Sequence, residues 1–348
     1  MRTQFAPDIA KAIGIFLVVL GHVLRGLMNA GVIKDSATWN MLDNLIYLFH
    51  MPLFFFLSGL FFEQTLLRRG YAGLLKNNIF SFLLPLLVWS YVQFGLQYIA
   101  SGSANVKLTL NDVLTAPFPP RQQFWFLWTL FVVTALAGAV MQLRPQRLLL
   151  GAVGLICIGL NLAGFGDISS SMPGSTMIRF APYFIIGVLG GASVSSSLKV
   201  GNIIAFFVFV ISLFVYAESE NNYEYIRFIT SIICIFAVYK ICLNLSKKIY
   251  SENTYSIMNV LTFVGMNSMA IYLVHVIFSA AFRSALMKFG IMDITVHLVG
   301  GTFFGIILPL SLVPVGLYFG KISPLIFGSI FPVRINRSIS SVEIGRVT

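Results

Sequence analysis

Windows of about twenty apolar residues recur from one end of this 348-residue chain to the other. Each is long enough to cross a hydrocarbon core of roughly 30 Å as a helix. Backbone in lipid must satisfy its own polar groups, so such windows restrict the chain to a bundle of membrane helices. Composition agrees: 57% of residues are hydrophobic and 10% charged, against roughly 25% charged in an ordinary soluble domain. The pattern predicts an all-α, polytopic membrane protein with ten spans, near 9–28, 43–62, 79–99, 123–141, 148–164, 177–193, 201–217, 226–245, 259–282 and 295–319. Breakers fall in the gaps, among them Ser101-Gly102-Ser103, Pro117 to Pro120 and Arg144-Pro145.

Charge sets the expected orientation. The net charge of +11 comes from lysines and arginines placed singly or in pairs between spans. They form no basic stripe with interleaved aromatics, so nucleic acid is not an expected partner. With the amino terminus cytoplasmic, alternate loops place fifteen of the 23 basic residues on the cytoplasmic side, the bias that orients membrane proteins. Both termini are then cytoplasmic. Residues 1–333 read as one membrane domain and 334–348 as a basic tail suited to anionic headgroups. The first span outruns a signal peptide's apolar region and lacks an Ala-x-Ala-like site, so it reads as a retained helix. Cys157, Cys234 and Cys242 all fall in apolar spans without metal-ligand spacing and read as small buried hydrophobes.

Ionisable side chains inside a bilayer are costly and mark candidate functional positions. His22 follows Ile13-Gly14-Ile15-Phe16-Leu17-Val18-Val19-Leu20-Gly21, about thirteen residues and so roughly 20 Å into the first span. It is too short to reach either interface. Lys11 lies eleven residues earlier, three turns plus about 20°, so the two share one helix face about 16 Å apart. Gly14 and Val18 lie between them and suggest a shallow track, with Arg25 one turn beyond His22. A long anionic ligand with a reactive end, such as coenzyme A carrying a thioester, suits that face. Lys11 alone reads equally well as a cytoplasmic anchor.

His50 precedes Met51-Pro52 in the second span, and His275 ends Ile271-Tyr272-Leu273-Val274-His275 in the ninth. Counting from the span ends brings both towards the depth of His22. Pro52 would free a carbonyl, which is tolerated where it lines a cavity. His297 falls at an outer rim and reads as interfacial. No metal is expected, since the histidines lack spacing within one element and a companion carboxylate.

Asp8-x-x-Lys11, the run from Gly14 to His22, Phe49-His50-Met51-Pro52-Leu53-Phe54-Phe55-Phe56-Leu57-Ser58-Gly59, Leu84-Pro85, Phe124-Trp125-Phe126-Leu127 and the His275 segment together resemble the acyltransferase-3 family, in particular its fucose 4-O-acetylase-like branch. The resemblance runs from about residue 5 to 320. It implies a multi-pass inner-membrane O-acyltransferase that moves an acyl group, usually acetyl from acetyl-CoA, onto a sugar hydroxyl of a surface polysaccharide such as O-antigen, or of its lipid-linked precursor. The partners it implies are thus acyl-CoA, a glycan acceptor and the bilayer. In that setting His22 matches the essential histidine and Lys11 the basic position of the motif. His50 and His275 are further catalytic candidates. Asp8 would orient Lys11 within a donor site that also draws on Arg68, Arg69 and Lys76. Arg25, Arg121 and Trp125 would line the acceptor side. Many members carry two arginines three apart before the third-helix proline, whereas Asn78 and Ser81 stand in that stretch here. A proton-coupled transporter or flippase is the alternative class, because histidines at one depth also suit proton relays.

Overall fold

The computed structural model describes residues 5–34, 37–100, 108–167, 174–191, 197, 199–219, 223–252 and 255–313, and the elements assigned among them are all helical. Helix α1 (Ala6–Asn29) opens with proline in its first turn and Asp8 beside the positive end of the helix dipole. Helix α2 (Ala37–Asn78) continues through a π-helical turn, Ile79–Leu83, into α3 (Leu84–Ile99). The short α4 (Leu110–Leu114) is closed by a capping box between Thr109 and Asp112. A 3₁₀ turn, Gln122–Phe124, leads into α5 (Trp125–Val140), followed by α6 (Gln146–Leu162) and α7 (Ser175–Ile186). Then come α8 (Asn202–Glu218), α9 (Glu224–Glu252), α10 (Tyr255–Met266), α11 (Ser268–Lys288) and α12 (Ile294–Ser311).

Among the described residues, six helical runs are long and apolar enough to cross a membrane: 6–29, 37–99, 122–140, 224–247, 268–288 and 294–311. Three shorter apolar helices, 146–162, 175–190 and 202–218, accompany them. The spans expected at 43–62 and 79–99 fall within one helical run of 63 residues. Straight, it would measure about 95 Å, far more than one crossing needs. Gly70 breaks its course with φ +66° and ψ 174°, a conformation open to a residue without a side chain. The span expected at 259–282 is divided into α10 and α11. At the division Asn267 leaves helical geometry, and its side-chain amide donates to the Phe263 carbonyl at 2.8 Å, competing with the backbone ladder. The expected tail at 334–348 lies outside the described residues.

Helix α1 packs against α2, α9, α10, α11 and α12. Its sequence fits that position: Ile9, Ala10 and Val19, which fall on three different sides of the helix, are all fully buried, as expected for a helix enclosed by others over most of its circumference. Peripheral α8 instead turns Ile203, Ile204, Phe207, Ile211 and Phe214 outward, consistent with a lipid-facing surface. Helices in lipid associate through close packing rather than hydrophobic expulsion, so small residues mark their tightest crossings. Gly59 of α2 meets the turn after α7 in this way. A Cβ at Gly59 would lie 3.1 Å from the Gly187 Cα and against the Phe184 carbonyl, and one at Gly187 would lie 3.1 Å from the Gly59 Cα. Gly59→Ala should therefore destabilise the fold by about 1–3 kcal/mol through overpacking, read as a lower midpoint of thermal unfolding in detergent. Gly95→Ala in α3, where no atom lies within 4 Å of the added carbon, should cause no loss.

Candidate active site

Phase along α1 places the functional side chains. Near its start Lys11 Nζ donates to Asp8 Oδ1 at 3.2 Å, the pairing expected from their three-residue spacing. Lys11, Ile15 and Val18 line an inner cavity of about 220 Å³ together with Met51, Phe54, Leu57, Phe126 and Tyr272. The expected track through Gly14 is filled, because the Phe54 ring would lie 2.9 Å from a Cβ at that position. Phe54 thereby becomes a wall of the cavity, and the open stripe runs along Ile15 and Val18 instead. Apart from Lys11, Ser58, Ser268 and Tyr272 the lining is apolar.

Deeper along α1, the rings of His22 and His275 meet edge to face with centroids 5.0 Å apart. His22 also lies within electrostatic reach of Arg25 and His50. The three histidines from α1, α2 and α11 are thus brought together, as their depths predicted. Their roles differ by burial. His50 and His275 are fully buried, whereas His22 is half-buried. His275 Nδ1 meets the Ile271 carbonyl at 3.1 Å and the Tyr272 carbonyl at 2.8 Å, and His50 Nδ1 meets the Ile46 carbonyl. A carbonyl can only accept, so each Nδ1 carries the proton and each neutral ring keeps its lone pair on Nε2. Both Nε2 atoms are buried without a hydrogen-bond partner among the described residues. His297, near the start of α12, is buried, with Nε2 donating to the Ile291 carbonyl at 2.9 Å.

Two tyrosines complete the cluster. Tyr47 meets the His50 ring at 4.5 Å and Tyr272 meets His275 at 6.3 Å. The Tyr272 hydroxyl donates to the Gln123 carbonyl, tying α11 to the start of α5. Sequence reading overlooked both tyrosines, although each stands three residues before a chosen histidine, one helical turn away. Arg25 donates to both Asp43 oxygens at 2.8–3.0 Å and lies 3.5 Å from the centroid of the Tyr47 ring. That fork joins α1 to α2 beside the histidines and orients the guanidinium.

Beyond the cluster lies a second, outer cavity of about 420 Å³. Arg25, Tyr47, Pro52 and Trp125 face it, with Asn161, Asp167, Arg179 and Arg227 on its other walls. Leu48, whose carbonyl Pro52 cannot satisfy, lines it as well. The Trp125 and Phe180 rings stack at 5.0 Å along one side. Side chains of the two cavities touch: Phe126 of the inner one lies against Trp125 of the outer, and Tyr272 reaches His22 through His275.

Other expected site residues stand apart. Arg68, Arg69 and Lys76 are exposed on α2 and line neither cavity. Arg121 is engaged by Asp112 at 3.0 Å and Thr115 at 3.2 Å, bracing the loop before α5. Hydrogen bonds from Thr109, with the Arg121 guanidinium, hold the Asp112 carboxyl down at about 2. Among the described residues no group of three or more His, Cys, Asp or Glu is arranged to hold a metal ion.

A bundle of apolar helices that encloses a cluster of histidines, tyrosines and an arginine beside two cavities defines a membrane protein with an internal polar site. The chain belongs to the acyltransferase-3 family: the family model, described as an acyltransferase domain, matches residues 5–314. The nodulation protein NolL of Mesorhizobium japonicum is 31% identical over 126 residues, which cover 36% of this chain and 32% of that protein. NolL of Sinorhizobium fredii is 27% identical over 190 residues, covering 52% of this chain and 47% of that protein. The chain thus spans about a third to a half of the length of these curated relatives. No solved structure matches it.

If Arg25 and Asp43 are coupled as their geometry indicates, a double-mutant cycle with Arg25→Met and Asp43→Ala should give a coupling of about 1–3 kcal/mol in thermal or denaturant unfolding. A coupling near zero would show that the pair does not hold α1 to α2.

Proposed function

We propose that the protein transfers an acyl group, acetyl from acetyl-CoA, onto a sugar hydroxyl of a cell-surface polysaccharide or its lipid-linked precursor in the cell inner membrane. The observation that carries this reading is the position of the half-buried His22 on α1, one turn after Val18, which lines an apolar cavity that begins at Lys11, and one turn before Arg25, which lines a polar cavity rich in arginine and aromatic side chains; the ring itself lines neither. The inner cavity suits the donor. Lys11 is a point charge for coenzyme A phosphates, kept in place by Asp8, and the apolar lining suits the pantetheine arm. The outer cavity suits a sugar, which presents hydroxyls to polar side chains and an apolar ring face to Trp125.

His22 acts as general base. It takes the proton from the acceptor hydroxyl as the oxygen attacks the thioester carbonyl. Collapse of the tetrahedral adduct breaks the C–S bond, and the leaving thiolate takes the proton from His22. Arg25, within a turn of His22 and held by Asp43, stabilises negative charge developing at the carbonyl oxygen. His275 holds the His22 ring by its edge contact, and Tyr272 and the Gln123 carbonyl hold that wall in place.

The test follows radiolabel from [14C]acetyl-CoA into glycan in membranes that hold equal amounts of inserted protein. His22→Ala should lower turnover by roughly 10²- to 10⁴-fold, and near-normal turnover would overturn the reading. Lys11→Ala should act mainly on the donor, raising its KM by roughly 10- to 100-fold with a smaller effect on kcat, the loss of one charge-assisted hydrogen bond.

A further inference from the structure

Four glutamines meet where α3 faces the turn before α5. Gln93 and Gln97 stand four residues apart, on one face of α3, and Gln122 and Gln123 oppose them from the 3₁₀ turn. Gln123 Nε2 donates to Gln93 Oε1 at 2.6 Å, and Gln93 Nε2 donates back to Gln123 Oε1 at 3.3 Å. The two amides thus pair reciprocally while only 1% and 2% exposed. Gln93 also donates to Gln122 Oε1, and Gln122 Nε2 donates to Gln97 Oε1 at 3.2 Å. A buried polar network whose members are all satisfied rigidifies the elements that it joins. What it holds here is a strained turn: Gln122 has φ +52°, in the left-handed region that residues with a side chain seldom adopt. Such a conformation persists where its surroundings over-determine it, and it clusters near functional sites.

The turn leads directly to the site. The Gln123 carbonyl accepts from the Tyr272 hydroxyl, and Tyr272 lines the inner cavity one turn before His275, whose ring meets His22. Trp125 and Phe126, which follow the turn, wall the outer and inner cavities. We infer that Gln93 is a positioning residue for the transfer: paired with Gln123, it fixes the carbonyl that seats Tyr272, and with it the height and rotation of α11 at the His275 ring against which His22 rests. Gln93 itself lines neither cavity and acts only through Gln123 and Tyr272. The assignment rests on the reading of His22 as the base and adds the element that keeps that base in register. Misplacing a reacting group by about 1 Å costs roughly 10²-fold in rate, even when the altered residue is far from the chemistry.

The test measures acetyl transfer by the full-length protein per competent site, with sites counted by saturable binding of an unreactive ketone analogue of acetyl-CoA. Gln93→Met keeps the length of the side chain and removes its amide. It should lower kcat per site by roughly 10- to 100-fold and leave the KM for acetyl-CoA within about twofold, the mark of an interaction that matters only in the transition state. A purely structural role would instead reduce the number of sites and leave kcat per site as it was. Tyr272→Phe, which deletes one hydroxyl, should lower kcat per site in the same way, and the double variant should be no slower than the slower single one, since both act along one path. If Gln93→Met yields no countable sites, Gln93→Glu, which keeps the acceptor for Gln123, decides by the same readings. Unchanged kcat per site in the Gln93 variant or in Tyr272→Phe, or losses that multiply in the double variant, would overturn the inference. The two readings fail separately: near-normal turnover by His22→Ala overturns the transferase reading, whereas His22-dependent turnover indifferent to Gln93 overturns this one alone.

Discussion

The arrangement depends on one constraint: polar side chains on a helix enclosed by five others have no water to turn to. Each must find a partner within the bundle or face a cavity, because an unsatisfied polar group in an apolar interior costs several kcal/mol. Helix α1 meets the constraint by segregating its polar residues. Lys11 pairs with Asp8 at one end and Arg25 with Asp43 towards the other, and His22 stands between them against His275. The helix is therefore both the centre of the packing and the axis of the site. Its apolar sides are buried against α2, α9, α10 and α12, so the polar stripe cannot rotate away without exposing Ile9 or Val19.

The same constraint explains why the histidines divide into two kinds. His50 and His275 each donate Nδ1–H to a carbonyl in the preceding turn of their own helix, which fixes the tautomer and the ring plane. His22 makes no such bond to a described residue, and it is the least enclosed of the three. The base proposed above needs that freedom to accept and return a proton, while its neighbours need to stay still. Tyr47 and Tyr272 serve the second need by packing one turn before each fixed ring.

Helical phase and depth carry far in a chain like this. Three turns of 3.6-residue geometry placed Lys11 and His22 on one face, and counting from span ends brought His50 and His275 to the depth of His22. Features that depend on what one helix presents to another were not legible. Gly14 reads as a gap until Phe54 is seen filling it. Helical phase does not show that Arg121 is engaged by Asp112, or that Arg68, Arg69 and Lys76 line neither cavity. The Arg179–Glu224 pair joins residues 45 apart in sequence. A lone arginine inside the expected sixth span was nonetheless a visible signal, because it is too costly there without a partner. The split between α10 and α11 turns on one asparagine that composition windows average away.

The central claim is that a donor enters along the Lys11, Ile15 and Val18 stripe and presents its acyl carbon to His22. A cryo-EM structure of the protein with a ketone analogue of acetyl-CoA, in which carbon replaces the thioester sulfur, tests it most directly. The account predicts the phosphates at Lys11, the pantetheine arm along Ile15 and Val18, and the ketone carbonyl beside the His22 ring. Density for the analogue that leaves the inner cavity empty, or places the carbonyl away from His22, would contradict it.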